Sequence, residues 1–160
     1  YMLTWKSNKG LIFNKNTFEL IGEFNYSTST NEGWGLTTID DNLVMSDGSE
    51  KLFFIDPESF KINKYIEVYD NNGKVENINE MEYINDKIYA NIYGKDIIVI
   101  INHRTGEVEN IINLEGLFNK GNYNTNIDVM NGIAYNVENN TILVTGKWWP
   151  SMFELKIKLK

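Results

Sequence analysis

The stretch NEMEYINDKIYANIYGKDIIVIINHRTGEVENIINL, residues 79–114, alternates short apolar runs with clusters of Asn, Asp, Gly and Lys. Its apolar runs are rich in Ile, Val and Tyr, which favour strands, and they lack the 3.6-residue spacing of a helix. The clusters INDK, YGKD and HRTGE have the composition of tight turns. The stretch therefore predicts four short β-strands joined by three turns.

The same order of strands and turns recurs along the chain. GWGLTTIDDNLVMSDGSEKLFFIDPESFKINKYIEV (residues 33–68) repeats all four strands, and NGIAYNVENNTILVTGKWWPSMFELKIKL (131–159) repeats the first three. YMLTWKSNKGLIFNKNTFELIGEF (1–24) matches from the second strand onward. A repeat of about 45 residues is typical of four-stranded propeller blades. A β-sandwich or meander is the alternative, but the shared turn types favour a single all-β propeller domain over residues 1–160.

Alignment of the repeats on their third strands places four different residues at one equivalent position, the turn after the second strand. These residues are Trp5, Asp47, Tyr93 and Lys147. Equivalent positions of successive blades lie around one ring, so we expect these side chains at one mouth of the central channel. Because each repeat contributes a different side chain, the pattern indicates an asymmetric site.

The first strands of the repeats begin with further candidate residues. Trp34, Asn79–Glu80 and Asn131 lie at these starts, where the innermost strands of a propeller surround the channel. Glu32 and Glu80 are carboxylates near the channel, and we interpret them as structural groups or as contacts to a substrate amine.

The stretch VTGKWWPSMFEL, residues 144–155, contains the cation of the predicted ring. Lys147 stands between a glycine and two tryptophans, which favours a place in the site. We expect Trp148 and Trp149 to pack as core rings and Pro150 to shape the bend. Asp47, in SDGS, is expected to be a turn residue that holds backbone N–H groups.

Composition excludes several classes of function. The net charge of −7 argues against a nucleic-acid partner, and no basic run would hold an anionic membrane. The aliphatic run Ile97–Ile101 is too short to span a bilayer, which needs about 20 apolar residues. With no cysteine and one histidine, a zinc site or a Ser-His-Asp triad is not expected, and neither is any cofactor. We interpret His103 as a solvated loop residue.

Five motifs together resemble the plant and bacterial type of glutaminyl-peptide cyclotransferase, also called glutamine cyclotransferase. They are EGWGLT, MSDGSEKLFFIDP, NINEMEYINDKIYANIY, DVMNGIAY and VTGKWWPSMFEL. The resemblance implies a five-bladed β-propeller, of which about three and a half blades are present here. It also implies a secreted or periplasmic protein, unrelated to the zinc-dependent animal enzymes.

The activity implied by the resemblance is conversion of the N-terminal glutamine of a peptide or protein to pyroglutamate, with release of ammonia. The family pattern matches Trp5 in LTWK, Trp34 in GWGL, Asn79 in NEME and Lys147 in TGKWWP. On this basis Lys147 and Asn79 are the predicted catalytic residues. Trp5, Trp34, Tyr93 and Glu80 are the predicted substrate-binding residues, and no metal is expected.

The sequence departs from the family pattern in two places. Tyr93 stands where the family has a tryptophan, which keeps an aromatic wall with a smaller ring. The glutamate that serves the family as general acid and base lies in an FGEG motif upstream of Tyr1. We therefore expect the 160-residue chain alone to be inactive and to associate through open strand edges. The alternative is a non-catalytic propeller that binds a peptide or small ligand at the same mouth.

Overall fold

A computed structural model describes residues 1–119, 121 and 126–157, and strands dominate it. No α-helix occurs within those described ranges. The strands, in chain order, are β1 (Met2–Leu3), β2 (Lys9–Phe13), β3 (Leu20–Asn25), β4 (Leu36–Ile39), β5 (Asn42–Ser46), β6 (Lys51–Ile55), β7 (Ile62–Glu67), β8 (Tyr69–Asp70), β9 (Gly73–Lys74), β10 (Ile78–Ile84), β11 (Lys87–Ile92), β12 (Ile97–Asn102), β13 (Val108–Asn113), β14 (Met130–Asn136), β15 (Thr141–Gly146) and β16 (Phe153–Leu155).

The strands form four antiparallel sheets and one short hairpin. The first sheet has the order β1-β2-β3, the second β4-β5-β6-β7, the third β10-β11-β12-β13 and the fourth β14-β15-β16, while β8 and β9 form the hairpin. In every sheet, strands adjacent in sequence are also adjacent in space. The prediction of an all-β fold is confirmed, and the strands form several antiparallel sheets.

The polar turn before the last strand has the same geometry in the first three sheets. Side-chain oxygens of Asn14, Asp56 and Asn102 each accept hydrogen bonds from the backbone N–H groups two and three residues later, over 2.6–3.3 Å. The residue four positions on has a positive φ in each case, at Phe18, Phe60 and Gly106. The polar turn residues that recur in the sequence therefore form the same Asx turn in each of these sheets.

His103 lies in the third of these turns, and the expectation that it is solvated is wrong. Its side chain is buried, Nδ1 lies 3.0 Å from the backbone oxygen of Asp86, and its ring meets Tyr83 edge-on with centroids 5.5 Å apart. The sequence placed this residue in the right turn but could not show that the neighbouring β10–β11 turn covers it.

Three clusters of buried apolar side chains lie between consecutive sheets. Along β12, Val99 and Ile101 join the cluster shared with the second sheet, while Ile98 and Ile100 join the cluster shared with the fourth sheet. A third cluster joins the first and second sheets. The continuous aliphatic run of β12 is thus explained by a strand buried on both faces, as period-2 alternation requires.

Within the described residues no helix has the length and apolarity needed to cross a bilayer.

The first strands of the second, third and fourth sheets lie side by side and are joined by side-chain hydrogen bonds to backbone N–H groups. Thr37 of β4 accepts from the Tyr83 N–H at 3.2 Å. Glu80 of β10 accepts from the Ile133 N–H at 2.7 Å, and Glu82 accepts from the Tyr135 N–H at 3.2 Å. These bonds satisfy backbone donors that have no strand partner on that edge.

Candidate active site

The structure places the four residues of the predicted ring in equivalent turns. Trp5 follows β1, Asp47 follows β5, Tyr93 follows β11 and Lys147 follows β15. Each of these strands pairs with the next strand of its own sheet. The four turns therefore belong to four consecutive sheets and lie at the same end of each.

Glu32 joins two of the predicted aromatic residues. The indole Nε1 atoms of Trp5 and Trp34 both donate to the same Glu32 oxygen, Oε2, each over 2.7 Å. The Trp34 and Trp5 bonds hold the pKa of the Glu32 carboxyl below its usual value, because they stabilise the charged form. The Lys6 ammonium lies 4.0 Å from the centroid of the Trp5 ring and adds a smaller effect in the same direction. This arrangement, the indole fork, consists of Trp5, Glu32 and Trp34.

The aromatic contacts continue from the indole fork to the predicted catalytic lysine. The rings of Trp34 and Tyr93 meet edge-to-face with centroids 5.5 Å apart. The Lys147 ammonium lies 5.1 Å from the centroid of the Tyr93 ring, within the range of a cation–π interaction. The structure thus brings Trp5, Trp34, Tyr93 and Lys147 into one connected group, which we call the aromatic–lysine cluster.

Asp47 behaves as a turn residue, as predicted. Its carboxylate is buried and accepts from the Ser49 N–H at 3.0 Å, the Ser49 hydroxyl at 2.5 Å and the Thr30 N–H at 3.1 Å. The Thr30 hydroxyl in turn donates to the Asp47 backbone oxygen at 2.8 Å. Asp47 therefore ties the turn after β5 to the segment that carries Glu32.

Asn79 is buried beside the cluster at an irregular point of β10. The pairing of β10 with β11 shifts register between Ile78 and Met81, which is the mark of a β-bulge. The Asn79 backbone oxygen accepts from the Ser46 hydroxyl at 2.8 Å, and that hydroxyl accepts from the Gly35 N–H at 2.9 Å. Ser46 thus connects Asn79 to the residue that follows Trp34.

Glu80 lies on the side of β10 that faces β14. Burial raises the pKa of its carboxyl to about 7, while the Ile133 and Met81 backbone N–H groups oppose the shift and the nearby Glu82 carboxyl adds to it. No hydrogen bond joins Glu80 to the aromatic–lysine cluster among the described residues. The structure therefore places Glu80 as a bridge to the fourth sheet, and its contact with substrate stays a prediction.

The pKa of Glu80 predicts a pH dependence of stability. Because the folded-state pKa lies above the ordinary value of 4.5, the folded protein binds this proton more tightly than the unfolded chain. The stabilising contribution is complete below pH 4.5 and is lost as pH rises through about 7. We expect Glu80→Gln to raise the free energy of unfolding of the full-length protein at pH 8 by roughly 2–3 kcal/mol and to change it little at pH 4.5.

Urea unfolding of Glu80→Gln and wild type at both pH values measures this effect. Glu76→Gln, at an exposed position, corrects for the loss of one negative charge. A glutamine variant less stable than the wild type at pH 8 would show that hydrogen bonds outweigh burial at Glu80.

The two tryptophans after Lys147 differ, and the expectation that both pack is wrong for Trp148. The Trp148 side chain is 79% exposed and its φ is +63°, so the turn carries it away from the core. Trp149 packs as expected: its ring stacks on Phe118 with centroids 4.4 Å apart, and its Nε1 donates to the Asp128 backbone oxygen at 3.0 Å. Trp149 also lies against Gly146, where a side chain would overlap its ring.

Alanine substitutions should separate the two tryptophans. Trp149→Ala is expected to lower the free energy of unfolding by about 3 kcal/mol, because it removes a packed ring and leaves a cavity. Trp148→Ala, as the matched control, should change it by less than about 0.5 kcal/mol. Urea midpoints of the two variants in the full-length protein check both values, and equal losses would contradict the assignment.

Sequence reasoning placed Glu32 near the channel but did not find its two indole partners. Trp5 and Glu32 are 27 residues apart, so no local pattern connects them. Lys6 was also missed, and the signal for it was its position directly after Trp5. Among the described residues no group of three or more His, Asp or Glu side chains could hold a metal ion.

A sequence model of one family, described as Glutamine cyclotransferase, matches residues 1–157. The chain belongs to the glutamine cyclotransferase family. A glutaminyl-peptide cyclotransferase of Arabidopsis thaliana is 33% identical over 163 residues, which cover 99% of this chain and 49% of the relative. A crystal structure of Myxococcus xanthus glutaminyl cyclase matches with a TM-score of 0.86 at 34% identity, covering 95% of this chain and 65% of that one.

The chain spans about half the length of the curated glutamine cyclotransferase that it matches. Of the residues that the sequence pattern assigned to the family site, Trp5, Trp34 and Lys147 lie in the aromatic–lysine cluster. Asn79 lies beside it through Ser46. Their roles in the reaction stay predictions.

Proposed function

We propose that the full-length protein is a glutaminyl-peptide cyclotransferase, which converts the N-terminal glutamine of a peptide or protein to pyroglutamate and releases ammonia. The observation that carries the proposal is the aromatic–lysine cluster, in a chain that belongs to the glutamine cyclotransferase family. Three aromatic rings and one ammonium group, drawn from four sheets, converge at one end of the fold. Convergence of this kind is typical of a site for a small polar group.

We further propose that the four sheets are blades of a single five-bladed propeller domain, of which this chain supplies about three and a half. The sequential order of the sheets and the apolar clusters between consecutive sheets support this arrangement. So do the hydrogen bonds between the first strands of neighbouring sheets. In this arrangement the turns that carry Trp5, Tyr93 and Lys147 surround one mouth of the central channel.

The reaction forms one carbon–nitrogen bond and breaks another. The α-amine of the substrate glutamine attacks the side-chain amide carbonyl of the same residue, and the amide nitrogen leaves as ammonia. A base takes a proton from the attacking amine, and an acid gives one to the leaving nitrogen, so one carboxyl group serves both steps. The family resemblance assigns this part to the glutamate of an FGEG motif.

Lys147 and Asn79 have the chemistry to stabilise the negative charge that develops on the carbonyl oxygen. Fixed donors aimed at such an oxygen lower the barrier, because they need no reorganisation during the reaction. The Lys147 ammonium projects over the ring of Tyr93, which is partly exposed. Asn79 is held in a buried position by the bond of its backbone oxygen to Ser46.

The aromatic side chains provide the walls of the site. Trp5, Trp34 and Tyr93 are flat and rigid, and they would hold the flexible glutamine in a ring-like pose with its amine near its own amide. Tyr93 presents a smaller ring than the tryptophan of the family pattern. Glu80, predicted to bind substrate, is engaged by the Ile133 N–H, and we propose that it supports the bulge at Asn79.

Ammonia release from a glutamine-initiated peptide by the full-length protein tests the proposal. The same peptide with an acetylated N-terminus is the control, because its nitrogen cannot attack, and spontaneous cyclisation is subtracted. We expect turnover of the free peptide only, and we expect it to survive strong chelators. Binding of the peptide without ammonia release would favour the non-catalytic alternative, and loss with a chelator reversed by zinc would refute metal independence.

A further inference from the structure

The indole fork contains a charged group that the proposed reaction does not use. The Glu32 Oε2 atom accepts both indole N–H groups over the same short distance of 2.7 Å. An indole has one N–H donor and no acceptor, and in both rings that donor is already bonded to the Glu32 oxygen. Neither Trp5 nor Trp34 therefore has a donor left for the carbonyl oxygen of a substrate.

The two rings lie next to strands of different sheets, and one backbone hydrogen bond joins their segments, from the Gly33 N–H to the Trp5 oxygen at 3.1 Å. That bond fixes the backbone and leaves the Trp5 side chain free to rotate. Trp5 is 60% exposed and follows β1, whereas Trp34 is half-buried and precedes β4. An exposed ring keeps its rotamer freedom unless a directional contact removes it. For Trp5, that contact is the hydrogen bond to Glu32, and the Lys6 ammonium over the Trp5 ring adds to it.

Further contacts hold Glu32 and Trp34 in place. The Glu32 backbone oxygen accepts from the Thr28 hydroxyl at 3.1 Å, and its N–H donates to the Thr30 hydroxyl at 3.3 Å. Trp34 lies against Gly48, where a side chain would crowd its ring, and it also meets the Tyr93 ring edge-to-face. Glu32 is therefore held in place between the packed ring of Trp34 and the exposed ring of Trp5.

We propose that Glu32 is a positioning residue that aligns Trp5 and Trp34 as the two walls of the glutamine pocket by accepting both indole N–H groups on one oxygen. The proposal rests on the proposed function for its effect on turnover. It assigns the oxyanion contacts to Lys147 and Asn79 and leaves the indoles as walls. For this role the side chain of Glu32 must be long enough for one oxygen to accept both indole N–H groups. Its negative charge matters less than its length.

Two conservative variants of the full-length protein distinguish the effect of the side-chain length of Glu32 from the effect of its charge. Glu32→Gln keeps the length and an oxygen that can accept two bonds, but loses the charge. Glu32→Asp keeps the charge but is one methylene shorter, so it cannot span both rings. We expect Glu32→Gln to retain kcat/KM within about threefold, and Glu32→Asp and Glu32→Ala to lose about 10- to 100-fold. Glu76→Ala, which removes an exposed carboxylate elsewhere, should be unchanged.

The ¹H–¹⁵N resonances of the two indole N–H groups provide a readout that does not depend on activity. With assignments from Trp5→Phe and Trp34→Phe, both resonances should move together in Glu32→Ala and Glu32→Asp and stay near their wild-type positions in Glu32→Gln. Urea midpoints establish that each variant is folded. If Glu32→Ala does not fold, the comparison of glutamine with aspartate carries the test.

Three results would overturn the inference. Indole resonances that stay in place in Glu32→Asp would show that the fork does not exist. Resonances that move while kcat/KM stays at the wild-type value would remove any role in positioning. A Glu32→Gln variant with wild-type resonances but the turnover of Glu32→Asp would show that the charge acts directly. If wild-type protein cyclises no peptide, the proposed function fails, and the dissociation constant of the peptide replaces kcat/KM in the same comparison.

Discussion

Replacement of Lys147 by alanine in the full-length protein should lower kcat for a glutamine-initiated peptide by about 10²- to 10³-fold, which is the typical effect of removing one oxyanion donor. The ammonium group lies over Tyr93 in the aromatic–lysine cluster and forms no ion pair within 4.0 Å among the described residues. It is thus a donor that stays available to a substrate. Since both indoles are engaged by Glu32, no donor in the fork replaces it.

The loss should appear in catalysis and leave folding intact, because the turn that holds Lys147 depends on backbone and ring contacts. The Lys147 N–H donates to the Val129 backbone oxygen at 2.9 Å, and its own oxygen accepts from the Asp128 N–H at 3.1 Å, independently of the side chain. Lys95→Ala, in the turn after β11, is the matched control and should retain wild-type turnover. An unchanged kcat for Lys147→Ala, measured by ammonia release with an unchanged urea midpoint, would remove Lys147 from the mechanism.

The sequence predicted those features of the fold that depend on local chemistry. The turns at Asn14, Asp56 and Asn102 could be matched because an Asx turn is formed by one side chain and the backbone that follows it. The positions of Trp5, Tyr93 and Lys147 followed from the same repeat. Short-range patterns were therefore sufficient to place these residues at one end of consecutive sheets.

Features that depend on contacts between sheets were not predictable in the same way. Trp148 and Trp149 are neighbours of one type, but Trp149 packs on Phe118 and bonds to the Asp128 backbone oxygen, whereas Trp148 is exposed. His103 is buried because a different turn covers it. The bond from the Ile133 backbone N–H to the Glu80 carboxylate, between residues 53 positions apart, was not predicted either. Each outcome depends on long-range packing that composition and periodicity do not encode.

Gly35 should be among the least replaceable residues of the site. It sits next to Trp34, and a methyl group there would overlap the backbone oxygen of Asn79 and lie 2.7 Å from the Asn79 carbonyl carbon and 2.9 Å from the Glu80 Cα atom. All three atoms belong to the backbone of β10, so no side-chain rotation can relieve the overlap. The strand would have to move at its bulge, where Asn79 is positioned by the Ser46 bond.

We expect Gly35→Ala in the full-length protein to lower the free energy of unfolding by about 3 kcal/mol, the upper range for overpacking a well-packed site. It should also lower kcat/KM by about 100-fold, because a shift of about 1 Å in a catalytic group has an effect of that size. Urea unfolding and ammonia release measure the two effects on the same preparations.

Gly22→Ala is the matched control. Gly22 lies in β3, and the three atoms nearest to its added methyl group all belong to the Ile12 side chain, the nearest at 3.3 Å. That side chain can yield by a few tenths of an ångström, so we expect the free energy of unfolding to change by less than about 1 kcal/mol and turnover to be retained. The contrast tests whether close approach of Gly35 to β10 fixes the position of Asn79. Gly35→Ala could instead match Gly22→Ala in both stability and kcat/KM. Either β10 can then shift without cost, or the position of Asn79 does not limit the reaction. Both outcomes would contradict the catalytic role proposed for Asn79.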